Sequence, residues 1–260
     1  MKVYETGNIR NVVVMGHGGC GKTTLVEAIA YQTGITARMG KVTDGNTISD
    51  YDKEEQKRQF SISTSVVPVE FEDIKINFLD TPGYFDFVGE VEEACHAAGA
   101  AVIVINGKSG VEVGTLKAWE LCEKYKLPRL FLVTGMDDDQ ASYRKIVLEL
   151  NDRFGRKVAP FHVPIRENEK FVGFVNVVKM KGRRFINDTS EYEECDIPDY
   201  MDKHLNISRD ALVEAVADTS EELMERYFAG EEFTYEEVST ALRTHVMDCQ
   251  IVPVLVGSGI

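Results

Sequence analysis

The sequence predicts an α/β protein with a mostly parallel sheet flanked by helices, carrying a small inserted α+β subdomain. Three observations point there. Short apolar runs rich in Val and Ile alternate with helical stretches, the pattern of strands buried on both faces. A glycine-rich loop joins the first run to an amphipathic stretch. After Phe154 the texture changes to short strand-like runs followed by acidic, helix-periodic segments.

The elements follow in order. Strands are expected at Asn11 to Met15, Ile74 to Leu79, Ala101 to Ile105, Leu130 to Val133 and Ile251 to Val256; each is too short and too rich in β-branched residues to favour a buried helix. Helices are expected at Lys22 to Gln32, Val88 to Ala98, Val113 to Tyr125 and Ala141 to Phe154. Between Lys41 and Ser65 the chain is polar with no sustained period, and long unpatterned segments in compact domains are usually functional or mobile.

Beyond Phe154, Lys157 to Val163, Phe171 to Lys179 and Arg183 to Ile186 read as strands of a small sheet. Helices on that sheet are expected at Ser208 to Ala217, Ser220 to Phe228 and Tyr235 to Val246. Asp218, Glu221 and Glu222 gather where the second should begin, as carboxylates suit a helix start. Ile251 to Val256 then rejoins the first core. The expected organisation is a core over 1–156, an inserted α+β subdomain over 157–248, and the last strand with a ligand loop over 249–260.

Composition narrows the function classes. The 260 residues carry 29 basic and 43 acidic side chains, a net charge of −14, which disfavours a broad phosphate-backbone binder. The only compact basic run, Lys179 to Arg184, reads as a solvated strand or turn, so no direct nucleic-acid binding is expected. Cys20, Cys95, Cys122, Cys195 and Cys249 are scattered without a C-x-x-C pair, which fits reduced thiols in a cytosol. No apolar run approaches the ~20 residues that span a bilayer, and no signal segment opens the chain. A cytoplasmic monomer without membrane contact is expected.

The chemistry begins at Gly16-His17-Gly18-Gly19-Cys20-Gly21-Lys22-Thr23, a complete G-x-x-x-x-G-K-[ST] between a strand and a helix. In that setting the glycines let backbone amides approach phosphate oxygens, Lys22 reaches the terminal phosphates, and Thr23, followed by Thr24, offers a hydroxyl to Mg2+. A tight turn with a chance lysine would not account for both motif and context. Asp80-Thr81-Pro82-Gly83 follows a strand, so Asp80 stands at a carboxyl edge, where such sheets hold ligands. Asp80 is expected to hold Mg2+ through water, and the Gly83 amide to sense a γ-phosphate.

With these motifs in place, the chain resembles the nucleotide-binding region of elongation factor G-like translational GTPases, closest to the atypical paralogues. The resemblance rests on Asp80-Thr81-Pro82-Gly83-Tyr84-Phe85-Asp86-Phe87, Gly110-Val111-Glu112, Met136-Asp137, Ser220-Glu221-Glu222-Leu223-Met224-Glu225-Arg226-Tyr227 and Pro253-Val254-Leu255-Val256-Gly257-Ser258. It implies GTP and GDP as ligands, binding to the ribosome, hydrolysis coupled to a ribosomal step, and an inserted subdomain that meets the ribosomal stalk protein. The family continues beyond the equivalent of Gly259-Ile260, so a truncated piece is expected.

Several positions depart from that family. Its water-orienting histidine is Tyr84 here; a phenol is a poor general base at neutral pH, although its hydroxyl can place water, and Tyr84 can equally serve only to pack. The guanine-reading Asn-Lys-x-Asp is Thr134-Gly135-Met136-Asp137. Asp137 keeps the acceptor for guanine N1 and N2, Thr134 replaces an amide, and Gly135 cannot lay an aliphatic stem along the base. Backbone at Ser258 and Gly259 is expected at the base carbonyl. A loose match puts Ser61 where a threonine binds Mg2+, against an ordinary loop serine as the alternative. Phe60 is expected to cover the hydrolytic water, and Gly18 to leave the opposite side of that gate open. His17 shapes the loop.

The expected function is therefore GTP hydrolysis, with Lys22, Gly83 and Tyr84 at the reacting phosphate, Thr23, Ser61 and Asp80 around Mg2+, and Asp137 selecting guanine. One alternative is a GTP-dependent ribosome-binding switch with little or no hydrolysis. A P-loop ATPase or metabolite kinase is the other, and Asp137 argues against it.

Overall fold

The computed structural model describes residues 2–168, 170–186 and 191–258. The chain divides into two compact units, one comprising the residues to Asn106 together with Glu112–Arg129, the other Gly107–Val111 with Leu130–Ser258.

The first unit runs β1 (Ile9–Gly16), α1 (Lys22–Gln32), α2 (Lys53–Arg58), β2 (Ser65–Phe71), β3 (Ile74–Asp80), α3 (Val88–Ala97), β4 (Ala100–Asn106) and α4 (Val113–Tyr125). β1 pairs in parallel with both β3 and β4, and β2 is antiparallel on β3. Parallel strands need both faces covered, and alternation along β1 achieves it. Val14 packs with Val26 and Ala30 of α1, with Val67, Val69 and Val104 in the same cluster. Met15, on the opposite face, meets Cys95 of α3.

Residues 41–64 contain a 3-10 turn over Val42–Asp44 and a short helix that the polar composition concealed. α2 opens on a capping box in which Asp52 accepts from the Glu54 amide and the Glu55 carboxylate accepts from the Asp52 amide. The unpatterned stretch around it is held by carboxylates in place of an apolar stripe. Glu27 of α1, 1% exposed, accepts from the Gly40 amide at 2.8 Å and the Ile48 amide at 2.7 Å. Glu55 accepts from the Ile62 and Ser63 amides at 2.8 and 3.1 Å. Glu90 of α3 accepts from the Thr64 amide at 2.7 Å, and its carbonyl takes the Thr64 hydroxyl.

The second unit contains β5 (Arg129–Thr134), α5 (Tyr143–Phe154), β6 (Val158–Pro160), β7 (His162–Glu167), β8 (Lys170–Asn176), β9 (Lys181–Phe185), β10 (Tyr192–Cys195), α6 (Asp202–Ala217), α7 (Glu221–Phe228), α8 (Tyr235–Met247) and β11 (Val252–Val256). β11 pairs in parallel with β5 on one side and β6 on the other. β7 to β10 form an antiparallel sheet in sequential order. The expected α/β class with a mostly parallel sheet and a separate small sheet is what the molecule has.

Particular elements differ from the sequence expectation. The run Lys157 to Val163 is two strands, since Val158–Pro160 joins β11 whereas His162 onward pairs with β8; Phe161 donates its amide to Val254 and accepts from Val177 at this changeover. β2 and β10 are additional strands, the latter a short exposed edge on β9. α6 begins six residues before the periodic stretch and packs on β6, with Arg209 reaching the Val177 carbonyl. α7 starts with Ser220 accepting from the Leu223 amide and with Glu221 and Glu222 in its first turn. The basic run Lys179 to Arg184 turns from β8 into β9, where Arg184 pairs with Glu167 and Arg183 lies over the Tyr192 ring. No helix among the described residues is long and apolar enough to cross a membrane.

Replacing Glu27 with alanine strands two amides that have no other partner of comparable quality. The expected cost is about 2–4 kcal/mol, measured by urea unfolding, together with faster hydrogen exchange at Gly40 and Ile48. Unchanged exchange at both amides would show that the carboxylate is not their tether.

Candidate functional site

The phosphate-type loop occupies residues 16–23, between the end of β1 and the start of α1. Lys22, 6% exposed, folds back so that its ammonium donates to the Gly16 carbonyl at 3.2 Å and the His17 carbonyl at 2.9 Å. These are bonds that phosphate oxygens can replace. The first amides of α1 have no intrahelical partner, as at any helix start. A cleft opens over them, lined by Gly18, Gly19, Lys22, Thr23, Thr24 and Ser61 among others.

Hydroxyls and carboxylates converge at its floor. The Thr23 and Ser61 hydroxyls lie 3.2 Å apart, and Ser61 donates to Asp50 at 2.7 Å, which leaves Thr23 to donate to Ser61. Thus the loosely matched Ser61 is brought beside Thr23. Asp80 ends β3, in register with Val14, and is 1% exposed. Neither of its carboxylate oxygens has a hydrogen-bond partner of good geometry. Burial pushes its pKa up to about 6, opposed by the nearby Thr23 and Ser49 hydroxyls and the Lys22 ammonium. Burial likewise raises Asp50, against the Ser61 hydrogen bond. Two hydroxyls and two dehydrated carboxylates are hard oxygen donors that suit Mg2+, and the orphaned Asp80 oxygens are what such a site requires. Asp50 has no signal in the sequence, because it lies in the unpatterned segment and only tethering by Glu27 and Glu55 brings it here.

Gly83 lies against the loop so closely that an added Cβ would stand 2.5 Å from the Lys22 ammonium and 2.7 Å from the Gly18 Cα. Only glycine lets this backbone approach. Tyr84 follows, with its ring over Gly18, where a Cβ would sit 3.4 Å from the ring. Phe60 packs on the same ring at 4.6 Å between centroids. The space left open by Gly18 is therefore filled by Tyr84, which remains half exposed. His17 turns away from the cleft; its Nδ1 accepts from the Gly114 amide at 3.3 Å and Nε2 lies 3.6 Å from Glu112, consistent with shaping the loop. Cys20 is buried, and its thiol is pushed up by burial.

In the second unit, Thr134 closes β5 and is buried, Gly135 adopts φ +65°, and Met136 is fully buried. Asp137 is held by the Ser258 hydroxyl, which donates to it at 2.5 Å. Of the base-reading candidates, Asp137 and Ser258 thus meet from two loops, and Thr134 ends the strand three residues before Asp137; Gly259 lies outside the described residues. Among the described residues no group of three or more His, Cys, Asp or Glu side chains forms a metal cluster, so any cation site here depends on hydroxyls as well as carboxylates.

The raised Asp80 pKa has a stability consequence. Between 3.8 and about 6 the native chain holds a proton that the unfolded chain has released, so stability falls as pH rises through that window. Asp80→Asn removes the ionisable group. In nucleotide-free protein it should add about 2–3 kcal/mol at pH 7.5 and almost nothing at pH 3.5, read by chemical denaturation; equal effects at both pH values would contradict the raised value.

Comparison with known proteins agrees with this geometry. The family model described as the elongation factor Tu GTP binding domain matches residues 7–260. A crystal structure of a protein from Thermus thermophilus superposes with a TM-score of 0.87 at 37% sequence identity, over 96% of this chain and 37% of that one. The present chain thus spans little more than a third of that protein's length. The family matched is a GTP-binding domain of translation factors, the class that the Asp80-to-Phe87 and Gly110-to-Glu112 motifs had suggested. The chain belongs to the elongation factor Tu GTP-binding domain family.

Proposed function

We propose that this chain binds GTP and hydrolyses it to GDP and phosphate as part of an elongation factor G-like translation factor, with hydrolysis stimulated by the ribosome. The observation that carries the proposal is the meeting of Lys22, Thr23, Asp50, Ser61 and the Gly83 backbone around one cleft, with Asp80 buried beside Thr23 and Lys22. Lys22 exchanges its two loop carbonyls for β- and γ-phosphate oxygens, and the amides of residues 18–24 cradle the rest. Magnesium, when bound to Thr23, Ser61 and, through water, Asp80, neutralises phosphate charge. The Gly83 amide donates to the γ-phosphate.

Catalysis in such sites is mostly positioning and charge stabilisation. The Tyr84 hydroxyl orients the water that attacks the γ-phosphorus; the bond to the β-phosphate oxygen breaks, and the water's proton leaves on the phosphate released. Phe60, packed on the Tyr84 ring, shields that water from bulk solvent. The ribosome completes the arrangement. Asp137 selects guanine over adenine. The acidic subdomain over 157–248 meets the ribosomal stalk protein, and the factor works as a monomer in the cytoplasm.

A second reading, a GTP-dependent ribosome-binding switch that barely hydrolyses, is favoured by one feature. Tyr84 lies flat over Gly18 and against Phe60, which a purely packing residue would also do.

Hydrolysis by the full-length protein, with and without ribosomes, separates the two. Ribosomes should stimulate the wild type strongly, and Lys22→Ala should lose about 100-fold or more of that turnover. Negligible turnover in both conditions, despite tight GTP binding, would establish the switch instead. Tyr84→Ala should lower stimulated turnover roughly tenfold or more, with Tyr84→His at or above wild type. Alanine equal to wild type would remove Tyr84 from catalysis.

A further inference from the structure

The base-reading loop lacks the side chain that would face a nucleobase. Gly135 offers none, and at φ +65° a side chain there would be strained. The loop over Gly107–Val111, in the same unit, lies alongside it. The Gly107 amide donates to the Thr134 carbonyl at 2.7 Å, and the Gly107 carbonyl accepts from the Ser142 amide at 3.0 Å. A Cβ on Gly107 would stand 2.8 Å from the Thr134 carbonyl oxygen and 3.2 Å from that of Gly135. The backbone that launches Lys108 is therefore fixed against Thr134 and Gly135.

From there the Lys108 side chain reaches an ammonium to 3.7 Å from the Asp138 carboxylate, one residue beyond Asp137. Its four-carbon stem thus runs along the 135–138 loop. The far end is equally fixed. Asp138 takes the Gln140 amide on its carboxylate at 2.8 Å, and its carbonyl takes the Arg166 guanidinium at 2.8 Å. Arg166 also donates to the Ala141 carbonyl at 2.9 Å. The Gln140 amide, then a hydrogen bond with Asp139 and the Lys108 charge, hold Asp138 below the usual carboxylate range, against its partial desolvation. An ion pair this exposed adds little stability by itself. A lysine stem held across a base-reading loop does something else: it presents methylenes and a cation to the face of a ring.

We infer that Lys108 is a guanine-binding residue, supplying from a different loop the stem and charge that Gly135 lacks. This rests on the reading of Asp137 as the guanine-selecting carboxylate. Asp137 recognises the base edge; Lys108 covers the base face, steered by Asp138.

Equilibrium binding of GDP and ADP to wild type, Lys108→Ala and Lys108→Met tests it, with thermal unfolding of each. Wild type should prefer GDP. Lys108→Ala should bind GDP about tenfold more weakly, with the melting midpoint unchanged, and Lys108→Met, which keeps a stem, should recover part of the loss. The inference is overturned if Lys108→Ala binds GDP within about twofold of wild type, if its melting midpoint falls with its affinity, or if methionine does no better than alanine. A wild type without preference for GDP would overturn the guanine reading itself, and Lys108's part with it.

Discussion

A carboxylate stripped of water at the end of β3 sets the terms for the first unit. Asp80 reaches its position through strand register, and the Thr81 hydroxyl fastens the same turn to the Val14 carbonyl at 2.7 Å. Burying a charge without direct partners is expensive, and the chain accepts that cost where three separate segments converge. Lys22 and Thr23 come from the loop and α1, Ser61 and Asp50 from the segment before β2. Thr23, Ser61 and Asp50 are satisfied by one another, Lys22 by two loop carbonyls, and the Asp80 oxygens by no hydrogen bond of good geometry. Such a floor has the hard oxygen donors and the ammonium that a cation and a phosphate group would use, in keeping with a GTP-binding domain.

The segment that supplies Asp50 and Ser61 is built differently from the rest of the unit. Strands and helices around it are placed by apolar burial, whereas it hangs from the carboxylates of Glu27, Glu55 and Glu90. Charge-assisted bonds to backbone amides are strong and directional, so they fix the path of a polar chain that has no hydrophobic face. They also make the path depend on α1 and α3, which lie outside the segment itself. The positions of Asp50 and Ser61 are therefore set partly by carboxylates that do not line the cleft.

Small residues and large ones compensate at a distance. Gly18 leaves a gap that the Tyr84 ring occupies, with Phe60 behind it. In the other unit Gly135 withholds a side chain, and Lys108 crosses from a neighbouring loop towards Asp138. In both cases a residue that looks like a loss within its own motif is matched by one far away in sequence, so each departure makes sense only beside its complement.

How much of this was legible in the sequence follows from the range of the interactions. The α/β class, the helices beginning at Lys22, Val113 and Glu221, and the loop from Gly16 to Thr23 are local matters of periodicity, capping and glycine spacing, and they stand where residue order put them. Lys157 to Val163 reads as one strand because its apolar pattern is continuous, yet its halves hydrogen-bond to β11 and to β8. α2 was hidden because a capping box of Asp52 and Glu55 makes a polar helix with little hydrophobic period. By itself the sequence determined the loop and the strand that ends in Asp80, since those depend on short spacings. Only the tertiary structure decided that Asp50 and Ser61 meet Thr23, that Tyr84 covers Gly18 and that Lys108 reaches across to Asp138, because those contacts are made by side chains whose partners lie tens of residues away and are chosen by packing and register.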